Sequence, residues 1–255
     1  MAHSNTRGPA SVLSLKGIEK SFGPIQALQG VDLTVAAGEA VGLMGDNGAG
    51  KSTLMKVISG NLIPTAGEFR VDGRQVHFAQ PVDARNAGIE IVHQNLALCD
   101  NLSAAANVFL GRELKRRLGP FAWLDKAAMV KKSAELFAEL KSETRPWDLV
   151  KDMSGGQRQA VAIARTRLAD PKVVLMDEPT AAISVRQIAE VLALIKHLKA
   201  TGHAVILVSH RMPDVFGVCD RVVVLRRGKK VADKTLDQSS PEEVTGLITG
   251  AIETA

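Results

Sequence analysis

The sequence is poor in residues that mark several classes of protein. It has two cysteines, Cys99 and Cys219, too few for a disulfide framework, and we expect small buried hydrophobic residues rather than a redox pair. Tyrosine is absent and aromatic residues make up 4% of the chain, so platforms for stacking single-stranded nucleic acid are scarce. The longest apolar runs, such as residues 205–208 and 222–225, are far shorter than the roughly 20 residues that span a bilayer. These shortages argue against a disulfide-stabilised mini-protein and a membrane-spanning chain.

What the chain does contain is ordinary globular composition with a surplus of positive charge. The length of 255 residues predicts between one and two domains. Lys and Arg number 32 against 27 for Asp and Glu, a net charge of +5, which suits a polyanionic partner: nucleic acid, an anionic lipid surface or a nucleotide. Residues 1–10 are polar, lack the apolar core of a secretory signal, and are predicted to be a flexible tail.

Hydrophobic periodicity predicts an α/β fold. Apolar runs, alternating or continuous, predict strands at residues 12–20, 31–35, 40–44, 173–176 and 204–208. The first two favour an antiparallel edge, whereas strand, helix and strand over residues 173–208 imply a parallel sheet with its crossover helix at residues 185–200. Residues 222–225 and 230–232 predict a terminal hairpin that turns at residues 226–229, and Ser240 is expected to cap a last helix.

Between these parts lies a stretch with a different character. Residues 103–170 are dominated by Ala, Leu, Lys and Glu, and residues 124–140 keep helical periodicity. The breakers are Gly119, Pro120 and Pro146. We therefore expect a helical insertion.

A glycine-rich loop follows the strand at residues 40–44 and precedes a helix at residues 51–59. Its residues match the pattern G-x-x-x-x-G-K-[ST] for phosphate binding: Gly45, Asp46, Asn47, Gly48, Ala49, Gly50, Lys51 and Ser52, with Thr53 next. Glycines let consecutive N–H groups face one point, and Lys51 adds a mobile charge for the β and γ phosphates. Ser52 offers a hydroxyl to Mg²⁺. The alternative, a simple Gly-rich turn, does not explain why strand and helix flank the loop.

Two acids follow the buried strand at residues 173–176. Ligands of doubly wound sheets bind at the carboxyl ends of the strands, so Asp177 and Glu178 are expected to face the phosphates. Asp177 would hold the hydration shell of Mg²⁺, and Glu178 would polarise the attacking water. Without the phosphate loop, the same pair would be read as a solvated start of a helix.

A second glycine cluster precedes another amphipathic helix. Ser154 and Gln157 have the spacing of a capping box, which accounts for a well-capped helix and no more. Glycine is disfavoured in a first turn, so Gly155 and Gly156 suggest a phosphate close to the backbone. The chain thus presents two anion-binding helix starts, and one nucleotide would not need both from one chain.

These motifs, in this order, resemble those of the ATP-binding cassette proteins over residues 13–250, nearly the whole chain. The resemblance identifies residues 45–52 as Walker A, residues 153–157 as the signature, Asp177 as the end of Walker B, Gln94 as the Q-loop glutamine and His210 as the switch histidine. It implies a P-loop NTPase fold with a RecA-like parallel sheet and an antiparallel β subdomain, together residues 11–94 and 171–255, and a helical subdomain at residues 95–170. All are expected to form one domain, residues 11–255.

The family also implies roles for residues that are unremarkable alone. Phe22 falls where an aromatic side chain stacks on adenine, although a core Phe on a strand remains the alternative. Gln94 would touch Mg²⁺ or the water and relay to a membrane subunit, and His210 would contact the γ phosphate. Together with Glu178 these two form the predicted catalytic set, and Ser52, Gln94 and Asp177 the predicted metal ligands.

The resemblance accounts for both helix starts, because two cassettes pair head to tail with each ATP between Walker A of one and the signature of the other. Residues 95–112 are similar to cassettes of bacterial sugar importers. The family resemblance and this similarity together imply a homodimer on the cytoplasmic face of the bacterial inner membrane. It would hydrolyse ATP with Mg²⁺ and thereby power sugar import. The implied partners are transmembrane permease subunits and, indirectly, a periplasmic or extracellular sugar-binding protein; no nucleic acid is expected.

Two departures and three alternatives remain. Ser184 replaces the usual D-loop acid, which puts coupling between the two sites in doubt, and Met153 replaces Leu, a mild apolar change.

Basic residues at 115–117 and 226–230 leave open a soluble cassette ATPase that acts on nucleic acid or ribosomes, although a solvated face or hairpin turn explains them as well. An importer of a non-sugar solute also remains open. A P-loop GTPase is disfavoured because no Asn-Lys-x-Asp element occurs.

Overall fold

The computed structural model describes residues 11–92, 98–118, 121–181 and 183–252, so the predicted tail at residues 1–10 lies outside it. The strands are β1 (Ser11–Phe22), β2 (Ile25–Ala36), β3 (Ala40–Met44), β4 (Ala66–Val71), β5 (Arg74–Gln75), β6 (Ile89–Val92), β7 (Lys115–Leu118), β8 (Phe121–Leu124), β9 (Val173–Asp177), β10 (Ala204–Val208), β11 (Arg221–Arg226) and β12 (Lys229–Thr235). The helices are α1 (Lys51–Ile58), α2 (Pro81–Asn86), α3 (Ala104–Val108), α4 (Lys126–Glu139), α5 (Gly155–Arg167), α6 (Val185–Ala200), α7 (Met212–Val218) and α8 (Pro241–Thr249).

A six-stranded sheet forms the centre of the fold, in the order β12-β11-β3-β10-β9-β6. Neighbouring strands from β11 to β6 pair parallel, and β12 pairs antiparallel with β11 as the predicted terminal hairpin. Every residue of β3 and of β10 is buried, as continuous apolar runs covered on both faces should be. The parallel sheet is therefore confirmed, and with it the helix at residues 185–200 that joins β9 to β10.

A second sheet, antiparallel and in the order β2-β1-β4-β5, confirms the predicted antiparallel edge. Its first two strands are longer than the sequence indicated, Ser11–Phe22 and Ile25–Ala36. The ladder between them has register shifts, one of them between Leu15 and Ile18, where Gly17 has a left-handed φ of 60°. A bulge of this kind breaks the alternation of apolar and polar residues on which the prediction rested.

The insertion between β6 and β9 contains α3, α4 and α5, and also a two-stranded hairpin of β7 and β8 that the sequence did not predict. The prediction of helical periodicity from residue 124 was wrong at its start. Leu124 ends β8, and α4 begins at Lys126 because the Asp125 side chain accepts a hydrogen bond from the N–H of Ala128. A capping side chain fixes the first turn more sharply than periodicity does.

Two apolar clusters lie on opposite faces of the central sheet. Successive residues of β9 alternate between them: Val174 and Met176 join the cluster with α4, α5 and α6, whereas Val173 and Leu175 join the cluster with β1, β2 and α1. Side chains of a strand point to opposite faces in turn, so one strand holds both layers together. The carboxyl ends of β3, β9 and β10 consequently form a rigid edge.

Candidate nucleotide-binding site

The loop of residues 45–50 connects the carboxyl end of β3 to the first turn of α1. Gly50 has φ +107°, and a Cβ there would lie 2.9 Å from the carbonyl oxygen of Ala27 on β2. A Cβ at Gly45 would lie 2.3 Å from the carbonyl oxygen of Leu225. Both positions require glycine, so the bend of the loop is held by the strands beside it.

Lys51 begins α1 and turns its side chain back over this loop. Its Nζ donates hydrogen bonds to the carbonyl oxygens of Gly45, at 2.6 Å, and Asp46, at 2.9 Å. Burial lowers the pKa of Lys51, and the carboxylates of Glu178, Asp46 and Asp177 oppose that effect. The ammonium group therefore lies close both to the loop and to the two acids at the end of β9, Asp177 and Glu178.

The hydroxyl-bearing residues after Lys51 lie in the first turn of α1. Ser52 is exposed and Thr53 is half-buried. Asn47 donates its N–H to the Asp46 side chain at 2.7 Å, which closes the start of the loop. The exposed Ser52 hydroxyl can reach a bound ion from solvent.

The two acids occupy the carboxyl end of β9. Asp177 is the last residue of the strand and pairs in register with Val208, the last residue of β10. Glu178 follows with a left-handed φ of 48°, and its N–H donates to the Val208 carbonyl at 2.9 Å. Its Oε2 is buried and has no hydrogen-bond partner among the described residues. A buried carboxylate oxygen without a partner is costly, which is typical of a functional site.

The end of β10 brings a histidine to this carboxylate. His210 Nδ1 lies 2.9 Å from Glu178 Oε1; the Glu178 side chain is 14% exposed and the His210 side chain 70%. The sequence predicted roles for the two residues separately. Their direct contact follows from the parallel pairing of β9 and β10, which no local motif encodes.

A buried network behind this pair was missed by sequence reasoning. Thr180 Oγ1 donates to Asp214 Oδ2, and Arg211 Nε lies 3.3 Å from the same oxygen. Asp214 is 2% exposed, and it ties the segment after Glu178 to the helix after His210. An Asp in the first turn of a helix carries a common signal for a helix start and nothing more, so the pattern alone could not reveal the network.

The second glycine cluster forms the start of α5. Ser154 caps the helix, and Gln157 completes the predicted capping box. A Cβ at Gly155 would lie 2.9 Å from Ile183 Cγ2, and one at Gly156 would lie 2.4 Å from Glu190 Oε2. Packing against Ile183 thus gives Gly155 a structural reason besides a ligand, whereas the flexible Glu190 side chain near Gly156 can shift, so the phosphate contact of both glycines stays a prediction. The exposed Ser154 remains available to a ligand.

Ser184, the residue that departs from the family pattern, is the N-cap of α6. Ser184 accepts the N–H of Gln187 at 3.4 Å, and its own N–H donates to Gln187 Oε1 at 2.9 Å. Serine and aspartate are both strong N-caps, so Ser184 keeps the local structure that an acid would support.

A cavity of about 700 Å³ opens beside the phosphate loop. Four of the predicted binding residues line it, Asp46, Asn47, Gly48 and Ala49. Arg226, Arg227 and Lys229 from the β11–β12 hairpin line its other side, so the basic run at residues 226–230 belongs to a hairpin turn next to the loop. These side chains add positive charge to the site.

Two predicted residues stand apart. Phe22 ends β1 with its ring 47% exposed, Lys20 Nζ lies 5.3 Å from the ring centroid, and Phe22 does not line the cavity beside the phosphate loop. Gln94 lies outside the described residues. Within the described ranges, no hydrogen bond or ion pair connects the Ser154 helix start to the phosphate loop.

No helix within the described residues is long and apolar enough to cross a bilayer. Residues 28–181 match the family described as ABC transporter. The xylose/arabinose import ATP-binding protein XylG of Sulfolobus acidocaldarius is 41% identical over 94% of this chain and 94% of that protein. The fructose import ATP-binding protein FrcA of Rhizobium meliloti is 42% identical over 95% of each.

Among solved structures, the dimeric post-hydrolysis state of the ATP-binding cassette MJ0796, bound to ADP and Pi, is 27% identical with a TM-score of 0.71. It covers 88% of this chain and 98% of its own. With more than half of the chain matched by the family and with such relatives, the chain belongs to the ABC transporter family.

Proposed function

We propose that this chain is the ATP-binding and ATP-hydrolysing subunit of an importer for a sugar. One observation carries the proposal: Glu178 and His210 meet at adjacent strand ends beside a phosphate loop, in a cassette whose relatives are named for import of xylose/arabinose and of fructose. The geometry of the site supports ATP hydrolysis, and the names of the relatives support its coupling to sugar import.

ATP binds through its phosphates on the loop of residues 45–50. Backbone N–H groups and the start of α1 face the anion, and Lys51 exchanges its carbonyl partners for the β and γ phosphates. The Ser52 hydroxyl and the Asp177 carboxylate are hard oxygen donors of the kind Mg²⁺ prefers, and Gln94 is the third proposed ligand. When bound, Mg²⁺ neutralises phosphate charge during transfer.

Hydrolysis uses the pair at the ends of β9 and β10. The Oε2 atom of Glu178, which no described residue hydrogen-bonds, accepts a hydrogen bond from the attacking water and orients it toward the γ phosphate. His210 holds the other carboxylate oxygen and reaches the γ phosphate from its exposed position. The water is thereby positioned before the phosphoryl bond breaks.

A second copy of the chain completes each site. The Ser154 helix start, with Gly155, Gly156 and Gln157, contacts the triphosphate bound to the partner's phosphate loop, so ATP closes the dimer and hydrolysis opens it. The dimeric arrangement of a related cassette with ADP and Pi supports this step. Phe22 covers the adenine.

The membrane partner is a permease, which places the subunit on the cytoplasmic face of the bacterial inner membrane; a sugar-binding protein outside the membrane acts through that permease. A cleft of about 250 Å³ lies between the core and the insertion, lined by Arg85, Glu90, Ile91 and Arg112 among others. Arg112 pairs with Glu90 across it. This cleft is the proposed seat of a permease segment, since β6, the segment after α3 and α5 all line it.

The variant Glu178→Gln tests this mechanism. It keeps the size and polarity of the side chain and removes the charge, so we expect ATP binding to persist, turnover to fall by about a hundredfold or more, and a dimer to accumulate with ATP. Glu143→Gln, at an exposed position in the insertion, is the matched control and should leave all three unchanged. Normal turnover in Glu178→Gln would remove Glu178 from the mechanism.

Transport is tested with the permease encoded by the same organism. Co-reconstituted in vesicles, the wild-type chain should drive ATP-dependent uptake of a radiolabelled pentose or hexose. Uptake of amino acids or ions but of no sugar would contradict the substrate class and leave the ATPase assignment intact.

A further inference from the structure

The hairpin of β7 and β8 carries large apolar side chains that the described part of the chain leaves uncovered. Phe121, Trp123 and Leu124 on β8 are 68%, 66% and 51% exposed. The two strands form a sheet of their own, and an isolated hairpin is marginally stable in water. Aromatic rings supply most of the energy of a contact when they are buried, so a hairpin that exposes two of them is suited to a partner.

Basic residues lie directly across from Trp123 and Leu124, whereas Phe121 pairs with Leu118. The strand register pairs Arg116 with Trp123 and Lys115 with Leu124. Both cations are exposed, and Arg117 extends the basic run in the sequence. The nearest acids in the chain, Glu113 and Asp125, lie at the base of the hairpin, where Glu113 accepts the N–H of Gly111 and Asp125 caps α4.

We propose that the β7–β8 hairpin binds a membrane surface that contains anionic lipids. Trp and Phe favour the boundary between headgroups and acyl chains, where one end of a side chain is apolar and the other is wet. Lys and Arg beside them are attracted by the negative surface potential and extend their stems over apolar surface. This combination matches an anionic lipid interface in both hydrophobicity and charge.

The position of the hairpin favours lipid over other occupants. It begins three residues after Arg112, which lines the cleft proposed for the permease, so the chain runs from that cleft directly into the hairpin. Cytoplasmic loops of membrane proteins carry an excess of Lys and Arg, which would repel the hairpin, whereas anionic headgroups attract it. The location at a membrane rests on the proposed function; the lipid contact rests on the hairpin itself.

The test uses the purified full chain and vesicles of phosphatidylcholine and phosphatidylglycerol in equal amounts. The chain has two tryptophans, so Trp147→Phe leaves Trp123 as the reporter. We expect co-flotation with these vesicles, quenching of Trp123 by brominated acyl chains, and loss of binding in about 1 M salt, where screening shortens to about 3 Å. Pure phosphatidylcholine vesicles should bind far less.

Variants separate the apolar and the electrostatic contributions to lipid binding. Trp123→Ser with Phe121→Ser should weaken co-flotation by about tenfold or more, and Lys115→Glu should weaken both co-flotation and the quenching of Trp123 by about fivefold or more. Ile63→Ser, another exposed apolar position, is the matched control and should bind as the wild type does. All variants should bind ATP normally, because the hairpin is separate from the phosphate loop.

Three results would overturn the proposal: no flotation of the wild type, flotation that the hairpin variants leave unchanged, or retention on single-stranded oligonucleotide with quenching of Trp123 and none on vesicles. Binding that appears only when the permease is reconstituted would assign the hairpin to the permease instead. ATP binding, measured on the same samples, separates these outcomes from a failure of the proposed function.

Discussion

Replacing Thr180 with valine isolates the buried network behind the catalytic pair. Valine has the shape of threonine but cannot donate, so Thr180→Val leaves Asp214 with Arg211 as its remaining partner. Both Thr180 and Asp214 are 2% exposed, so water cannot replace the lost hydrogen bond. A hydrogen bond to a charged buried acceptor contributes about 1.5–3 kcal/mol, and we expect the free energy of unfolding to fall by about that amount.

Thermal unfolding and ATPase kinetics measure the two consequences of Thr180→Val. For a chain of this size the loss corresponds to a fall in Tm of about 4–10 °C. Since Thr180 lies two residues after Glu178 and Asp214 four after His210, the link also holds the 2.9 Å contact between that pair. We expect kcat to fall by about tenfold or more while the affinity for ATP stays the same.

The exposed Thr245, whose hydroxyl donates to the Pro241 carbonyl, supplies the control for this prediction. Thr245→Val should change the free energy of unfolding by no more than about 0.5 kcal/mol. A Thr180→Val protein with wild-type Tm would refute the energetic reasoning, and one with lowered Tm but unchanged kcat would refute the link between the network and the catalytic pair.

Three further perturbations test other parts of the structure. Gly50→Ala places a Cβ 2.9 Å from the Ala27 carbonyl at φ +107°, so we expect ATP binding to be lost and stability to fall by about 1–3 kcal/mol, as measured by nucleotide fluorescence and urea unfolding. Burial lowers the pKa of His203, so the folded state favours neutral imidazole; the stability this provides is present above the unfolded pKa of about 6.5 and is lost as pH falls below it. His203→Gln should flatten that part of the Tm profile, and an unchanged profile would contradict the assignment. Ser184→Ala should cost about 1 kcal/mol and Ser184→Asp should restore it, since both side chains cap α6; equal Tm values for all three proteins would show that the cap is unimportant.

The fold was predictable where one local signal decides the structure. Strands β3 and β10 match the predicted residues because each is a continuous apolar run bounded by residues that stop it. The hairpin of β7 and β8 escaped because its first strand is a run of cations without alternation, and its pairing partner supplies the aromatic rings. Cross-strand pairs form between segments, so a pattern within one segment cannot show them.

The candidate site likewise has features that a local motif predicts and features that it does not. The phosphate loop and the acids after β9 are contiguous motifs, and the structure places Lys51 in the field of Asp177 and Glu178. The contact between Glu178 and His210 depends on the pairing of two strands whose partner residues lie 31 positions apart in the sequence, such as Asp177 and Val208. The close neighbour of Gly155, Ile183, likewise lies 28 positions away along the chain, and no pattern around Gly155 indicates that contact.

Glu178 and His210 follow β9 and β10, which pair with each other from Ala204 opposite Val173 to Val208 opposite Asp177. A slip of one residue along that ladder would turn every side chain of one strand to the other face. Catalysis and the stability of the central sheet therefore depend on the same strand pairing. Changes that loosen β9 or β10 should therefore lower turnover and the free energy of unfolding together, whereas changes confined to β5, at the far edge of the antiparallel sheet, should lower stability and leave turnover unchanged.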